Sequence, residues 1–147
     1  MNRYRFKLQK VLDVKDIYKE LRRRDLKNSL LRLSKEENVL KDLKEELRIS
    51  QNEVKLKRKK LLSCFELSFY YSYFNFLSTL IDIQVKKIER VKKDVENKRK
   101  KLIEASKEKE IIEKLKEKSW EAYLAEFKKE EQLFSDEISM ANFFRKV

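Results

Sequence analysis

The chain has 147 residues, of which 44% are charged, and carries a formal net charge of +12. It has no Gly, no Pro, no His and one Cys, so tight turns at positive φ have no permissive residue and nothing interrupts a helix. Gly-rich phosphate loops, His-based triads, zinc sites with His ligands, intrachain disulfides and CxxC pairs are all excluded.

The opening segment, MNRYRFKLQK, alternates charged and apolar residues and holds no apolar run of signal-peptide length. Beyond it, Leu26, Leu33, Leu40, Leu47, Val54 and Leu61 recur every seven residues. Six apolar residues in one register predict a coiled-coil seam. The companion stripe is expected four residues on, at Leu30, Glu37, Lys44, Gln51 and Arg58. That stripe is mostly polar, which implies a narrow seam.

Cys64 to Ile83 is the most apolar stretch and approaches a membrane-spanning length, but Glu66, Asn75, Thr79, Asp82 and several serines argue against a span. The alternating four-three pattern then resumes at Leu77, Ile81, Gln84, Ile88, Val91, Val95, Lys98, Leu102 and Ala105. A phase slip is expected near Lys109. An aromatic stripe follows at Trp120, Tyr123, Phe127, Phe134, Ala141 and Phe144, whose natural counterpart is Tyr4, Phe6, Leu8, Val11, Leu12 and Tyr18.

The layout predicts an all-α fold, a long antiparallel two-helix coiled-coil hairpin forming a single domain over 1–147. Helix 1 is expected over about 4–62, a turn over about 63–68 and helix 2 over about 69–145. Residue 4 would then lie near residue 128, with about twenty C-terminal residues overhanging. One continuous helix that dimerises is the competing architecture. A two-helix hairpin buries little, so such a chain works by touching other molecules.

Basic clusters occur at Arg22-Arg23-Arg24, Lys55 to Lys60 and Lys86 to Lys101, and the stretch Glu126 to Glu137 is acidic. Basic helices bind nucleic acid or anionic membranes; Lys and Arg also simply fill the wet faces of coiled coils. No base-reading module is present, and an acidic protein partner is the more economical use of the charge. A basic coiled coil binding nucleic acid or an anionic membrane surface is the alternative function.

Three motifs carry a resemblance. The first is Tyr4-Arg5-Phe6-Lys7-Leu8-Gln9-Lys10-Val11-Leu12 with Lys15, and the second is Tyr73, Leu77, Ile81 and Gln84. The third is Glu113-Lys114-Leu115-Lys116-Glu117-Lys118 followed by Tyr123, Glu126, Glu131-Gln132 and Asp136-Glu137. In this order the chain resembles the FliJ family of flagellar type III export proteins and, more distantly, their injectisome counterparts. The high positive charge and the aromatic run Phe65 to Phe76 depart from the family pattern.

The resemblance implies an antiparallel coiled-coil hairpin that is not an enzyme and has no catalytic residue, cofactor or metal. It implies a cytoplasmic protein without a membrane span, peripherally associated with the inner-membrane export apparatus. Its implied partners are the hexameric flagellar export ATPase, the cytoplasmic domain of the export-gate membrane protein and export chaperones, with no nucleic acid. By that resemblance, the end carrying both termini inserts in the ATPase ring and promotes its assembly and activity. The expected ATPase-contact residues are Tyr4, Arg5, Phe6, Leu8, Val11, Leu12, Phe134, Phe143 and Phe144. The expected export-gate face is Tyr73, Leu77 and Gln84, with Leu80 added from the same helix face.

Overall fold

A computed structural model describes residues 3–60 and 62–147. Two helices account for nearly all of them: α1, Gln9–Arg58, and α2, Cys64–Lys146. The fold is an all-α helical hairpin. Its contacts divide into two compact units, one of Met1–Leu21 with Ile103–Val147 and one of Arg22–Leu102.

The Arg22–Leu102 unit contains the reversal of the chain. Helix α1 ends at Arg58 and α2 begins at Cys64, earlier than the turn expected at 63–68. The cause is a helix-start signal in Ser63-Cys64-Phe65-Glu66. The Glu66 amide donates to Ser63 Oγ at 3.2 Å and the Leu67 amide donates to the Ser63 carbonyl at 3.1 Å. Ser63 is therefore the N-cap of α2, with Glu66 in the first turn near the positive end of the helix dipole. Lys55, Lys57 and Arg58 occupy the last turn of α1, where the dipole favours cations.

The two helices of this unit run antiparallel, as Ser29 meets Asp94, Glu36 meets Gln84 and Glu46 meets Tyr73. Val54, Leu77, Ile88, Val91 and Val95 are its buried apolar side chains. Along α1 in this unit the covered positions are Arg22, Asp25, Leu26, Ser29, Leu33, Glu36, Leu40, Leu43, Leu47, Ser50 and Val54. The seven-residue leucine stripe is thus the seam; its last member, Leu61, lies outside the described residues. The companion stripe differs from the expectation: Leu30, Glu37, Lys44, Gln51 and Arg58 are all exposed, and Ser29, Glu36, Leu43 and Ser50 take their place. Residues three and four apart share a helix face. Which of the two is covered depends on the side where the second helix lies.

In the Met1–Leu21 and Ile103–Val147 unit, Leu12 and Ala105 are the buried apolar residues. The four-three alternation of covered residues on α2 continues through Ala105, Lys109, Ile112, Lys116, Ser119 and Tyr123, so the slip expected near Lys109 does not occur. The seam carries lysine there, whose aliphatic stem covers apolar surface while its ammonium stays wet. Tyr4 packs on Trp120 and Tyr123 instead of lying near residue 128. Every residue from 128 to 147 is exposed.

Candidate functional site

Two groups of residues stand out, one in each unit. In the terminal unit an aromatic cluster joins the N-terminal segment to α2. The Tyr4 ring meets Trp120 edge-on with centroids 4.9 Å apart, and lies 5.2 Å from Tyr123. Trp120 and Tyr123 stack on one another at 5.5 Å. Offset and edge-to-face contacts of this kind match the aromatic quadrupole. The Tyr4 hydroxyl also points to the Lys116 carbonyl at 3.4 Å. The sequence predicts pairing of Tyr4 with the Trp120 and Tyr123 stripe, but not the register, which it places near residue 128.

Ion pairs flank this cluster. The Lys15 ammonium donates to Glu108 at 2.9 Å and the Lys109 ammonium donates to Asp16 at 2.6 Å. That bond, and the charge behind it, hold the Asp16 carboxyl below its ordinary range and raise Lys109 above its own. Arg3, Tyr4 and Arg5 line one side of an open hollow of 730 Å³, with Glu126 and Glu130 on the other side.

The expected ATPase-contact residues divide by accessibility. Leu12 is buried in the seam, Tyr4 and Phe6 are half-buried, and Arg5, Leu8 and Val11 are exposed. Phe134, Phe143 and Phe144 are 66%, 66% and 70% exposed, on a helical segment that nothing in the chain covers. Phe143 and Phe144 touch only edge-on, at 6.1 Å. Leu133 and Met140 on the same segment are similarly open to solvent.

The Arg22–Leu102 unit treats its candidates differently. Leu77 is 2% exposed and Gln84 is also buried, both facing α1. Tyr73 and Leu80 are half-buried at the edge of the seam. Tyr73 and Leu80 stay partly accessible with the hairpin closed, whereas Leu77 and Gln84 are covered and pack in the seam.

Around these residues lies a polar network with no sequence signature of its own. The Gln84 side-chain amide donates to the Glu36 carbonyl at 2.9 Å and to the Glu36 carboxylate at 2.6 Å. Lys87 pairs with the other carboxylate oxygen at 3.1 Å. The Gln84 bond first, then Lys87, hold the Glu36 carboxyl below its ordinary range. The Ser29 hydroxyl donates to Asp94 at 2.9 Å. The Tyr73 hydroxyl donates to Glu46, a bond that favours the protonated phenol and pushes its pKa up. Among the described residues no buried side-chain N or O atom lacks a hydrogen-bond partner. The polar half of the seam is therefore fully satisfied, which makes a Ser, Glu and Gln stripe tolerable there.

Among the described residues no group of three or more Cys, Asp or Glu side chains is arranged to hold a metal ion. No helix among them is long and apolar enough to cross a membrane. Searches of curated sequences and of solved structures returned no significant match. A family model described as Flagellar FliJ protein matches residues 4–147. Two long paired helices, an uncovered aromatic C-terminal segment and a match over essentially the whole chain lead to one assignment: this protein belongs to the FliJ family of flagellar proteins.

Proposed function

We propose that the chain works as a single, non-enzymatic coiled-coil domain that couples an export ATPase to the flagellar export gate. On this reading the terminal unit enters the ATPase ring, promoting its assembly and activity. The Arg22–Leu102 unit meets the cytoplasmic domain of the gate protein, and export chaperones bind along exposed helix faces. The protein is cytoplasmic and peripherally associated with the inner-membrane export apparatus.

One observation supports this reading most directly. The last twenty residues, 128–147, are entirely exposed, yet present Leu133, Phe134, Phe143 and Phe144 to solvent. Apolar surface of that kind marks a site that another molecule covers. Arg5, Leu8 and Val11 supply further exposed surface on the N-terminal side, while Leu12 and Tyr4 hold that segment in place. Tyr73 and Leu80 are the gate-contacting residues, with Leu77 and Gln84 behind them keeping the helices in register.

Steady-state ATP hydrolysis by the cognate export ATPase, titrated with this protein, tests the proposal. Saturable stimulation is expected, together with no hydrolysis by the protein alone. Phe143→Ser with Phe144→Ser should reduce stimulation by about tenfold while helix content stays constant, since burying two Phe rings carries at least that much free energy. An unchanged ATPase rate at saturating protein would reject the coupling role.

A further inference from the structure

A second exposed aromatic surface lies at the loop end of the Arg22–Leu102 unit, bordering Tyr73 and Leu80 on α2 and running from them toward the turn. Between Lys60 and Asp82 the only charged residue is Glu66, in a chain where 44% of residues are charged. Helices need charged residues on their wet faces, and this segment lacks them just where it is wet. Phe65 is 84% exposed, Phe69 70% and Phe76 58%. With Ser72 they follow steps of four, three and four, so they share one outward stripe of α2.

The end of α1 supplies the opposite character. Lys55, Lys57, Arg58, Lys59 and Lys60 are all exposed, against only Glu53 and Glu66 nearby in sequence. Lys57 donates to the Tyr70 hydroxyl at 2.5 Å and lies 5.2 Å from the centre of its ring. Arg58 donates to the Tyr71 hydroxyl. A phenol hydroxyl holds these cations in position without neutralising them. Lys57 and Tyr70 meet Phe65, Phe69 and the single acid Glu66 around an open hollow of 530 Å³. Lys57 and the bare rings of Phe65 and Phe69 therefore share one surface, and the other cations at the end of α1 adjoin it in sequence.

We propose that this surface docks on the anionic phospholipid face of a bilayer, with Phe65, Phe69 and Phe76 at headgroup depth. Lys55 and Lys57 to Lys60 face the lipid phosphates. The combination is that of an interfacial anchor, in which apolar burial and attraction to anionic lipid act together. Nucleic acid fits less well, since phosphate contacts on a duplex use the cations and leave the phenylalanines wet. The aromatic surface and the cations are each too small for tight binding alone, so the contact is reversible and sensitive to both salt and lipid charge.

The test uses the full chain and co-sedimentation with phosphatidylcholine vesicles, with and without roughly 30% phosphatidylserine. The single cysteine, Cys64, is exposed beside Phe65 and takes an environment-sensitive dye as a second readout. Binding at least about tenfold tighter to the anionic vesicles is expected, with a blue shift of the dye. Phe65→Ser with Phe69→Ser should weaken it about tenfold at unchanged helix content. Lys59→Glu with Lys60→Glu should act similarly, whereas Lys128→Glu with Lys129→Glu, the same charge change on another exposed stretch, should not. Equal binding to neutral vesicles, or an equal loss from the Lys128 and Lys129 variant, would overturn the proposal. So would tight duplex DNA binding that depends equally on Phe65 and Phe69, which would assign the surface to nucleic acid.

Discussion

The two units share one helical period but hold their helices together with different material. Among the described residues of the Arg22–Leu102 unit, buried Val54, Leu77, Ile88, Val91 and Val95 are interspersed with fully satisfied polar ties. Among the described residues of the terminal unit only Leu12 and Ala105 are buried and apolar, and the seam positions around them include Lys15, Lys19, Lys109 and Lys116. The first unit is closed by packing, the second by a small aromatic cluster and solvent-exposed ion pairs. Exposed ion pairs contribute little, so cohesion is unequal. The unit with the weaker seam also carries the uncovered phenylalanines proposed to meet the ATPase, and surfaces that exchange partners tend to come from the less stable parts of a fold.

The largest effect expected from this comparison is on truncation of the seam. Leu77→Ala should lower stability by about 2–3 kcal/mol, the low end for a buried leucine because a two-helix seam collapses readily onto a cavity. Leu12→Ala should cost less, about 1–2 kcal/mol, because fewer buried neighbours surround it. Denaturant midpoints of the two variants check this; equal losses would dissolve the distinction between the units.

A middle-sized effect concerns the polar tie. Gln84→Ala removes the donor that serves the Glu36 carbonyl and carboxylate, and should cost about 1 kcal/mol. The same tie predicts a pH dependence. Glu36 titrates lower in the folded chain than in the unfolded one, so the unfolded state binds its proton first as pH falls. Its stabilisation is then fully present above the ordinary carboxylate range and is lost as pH drops below about 4. Glu36→Gln should flatten that part of the acid-unfolding profile, and an unchanged profile would show that the tie does not hold the helices.

The smallest effect should come from the terminal ion pairs. Lys109→Ala removes the partners of Asp16 and Glu113 at the protein surface. Thermal unfolding at low and high salt should barely move, because exposed pairs are screened and mobile. A clear salt-dependent loss would raise the ion pairs above the aromatic cluster as the fastening of that unit.

Some of this was legible in the residues. Spacing alone predicts Gln84, Ile88, Val91, Val95 and Ala105 as seam positions, and all are buried. Ser63 was read as part of a turn, although Ser-x-x-Glu before an apolar run is a helix-start signal that the sequence does carry. The Glu36–Gln84–Lys87 cluster had no such signal. Glu36 is 48 or more residues from Gln84 and Lys87, and only the antiparallel register brings them together.

The sequence by itself determined that the protein is helical, since a chain without Gly or Pro and with 44% charged residues has few other folds open to it. It also determined the leucine stripe, because a repeat of seven keeps one face of a helix turned the same way. Tertiary structure alone decided the rest of the seam. At 3.6 residues per turn, positions three and four beyond each leucine lie on either side of the stripe. The second helix chose Ser29, Glu36, Leu43 and Ser50 over Leu30, Glu37, Lys44 and Gln51. On that side the polar side chains are satisfied across the seam: Asp94 serves Ser29, Gln84 and Lys87 serve Glu36, and Tyr73 serves Ser50.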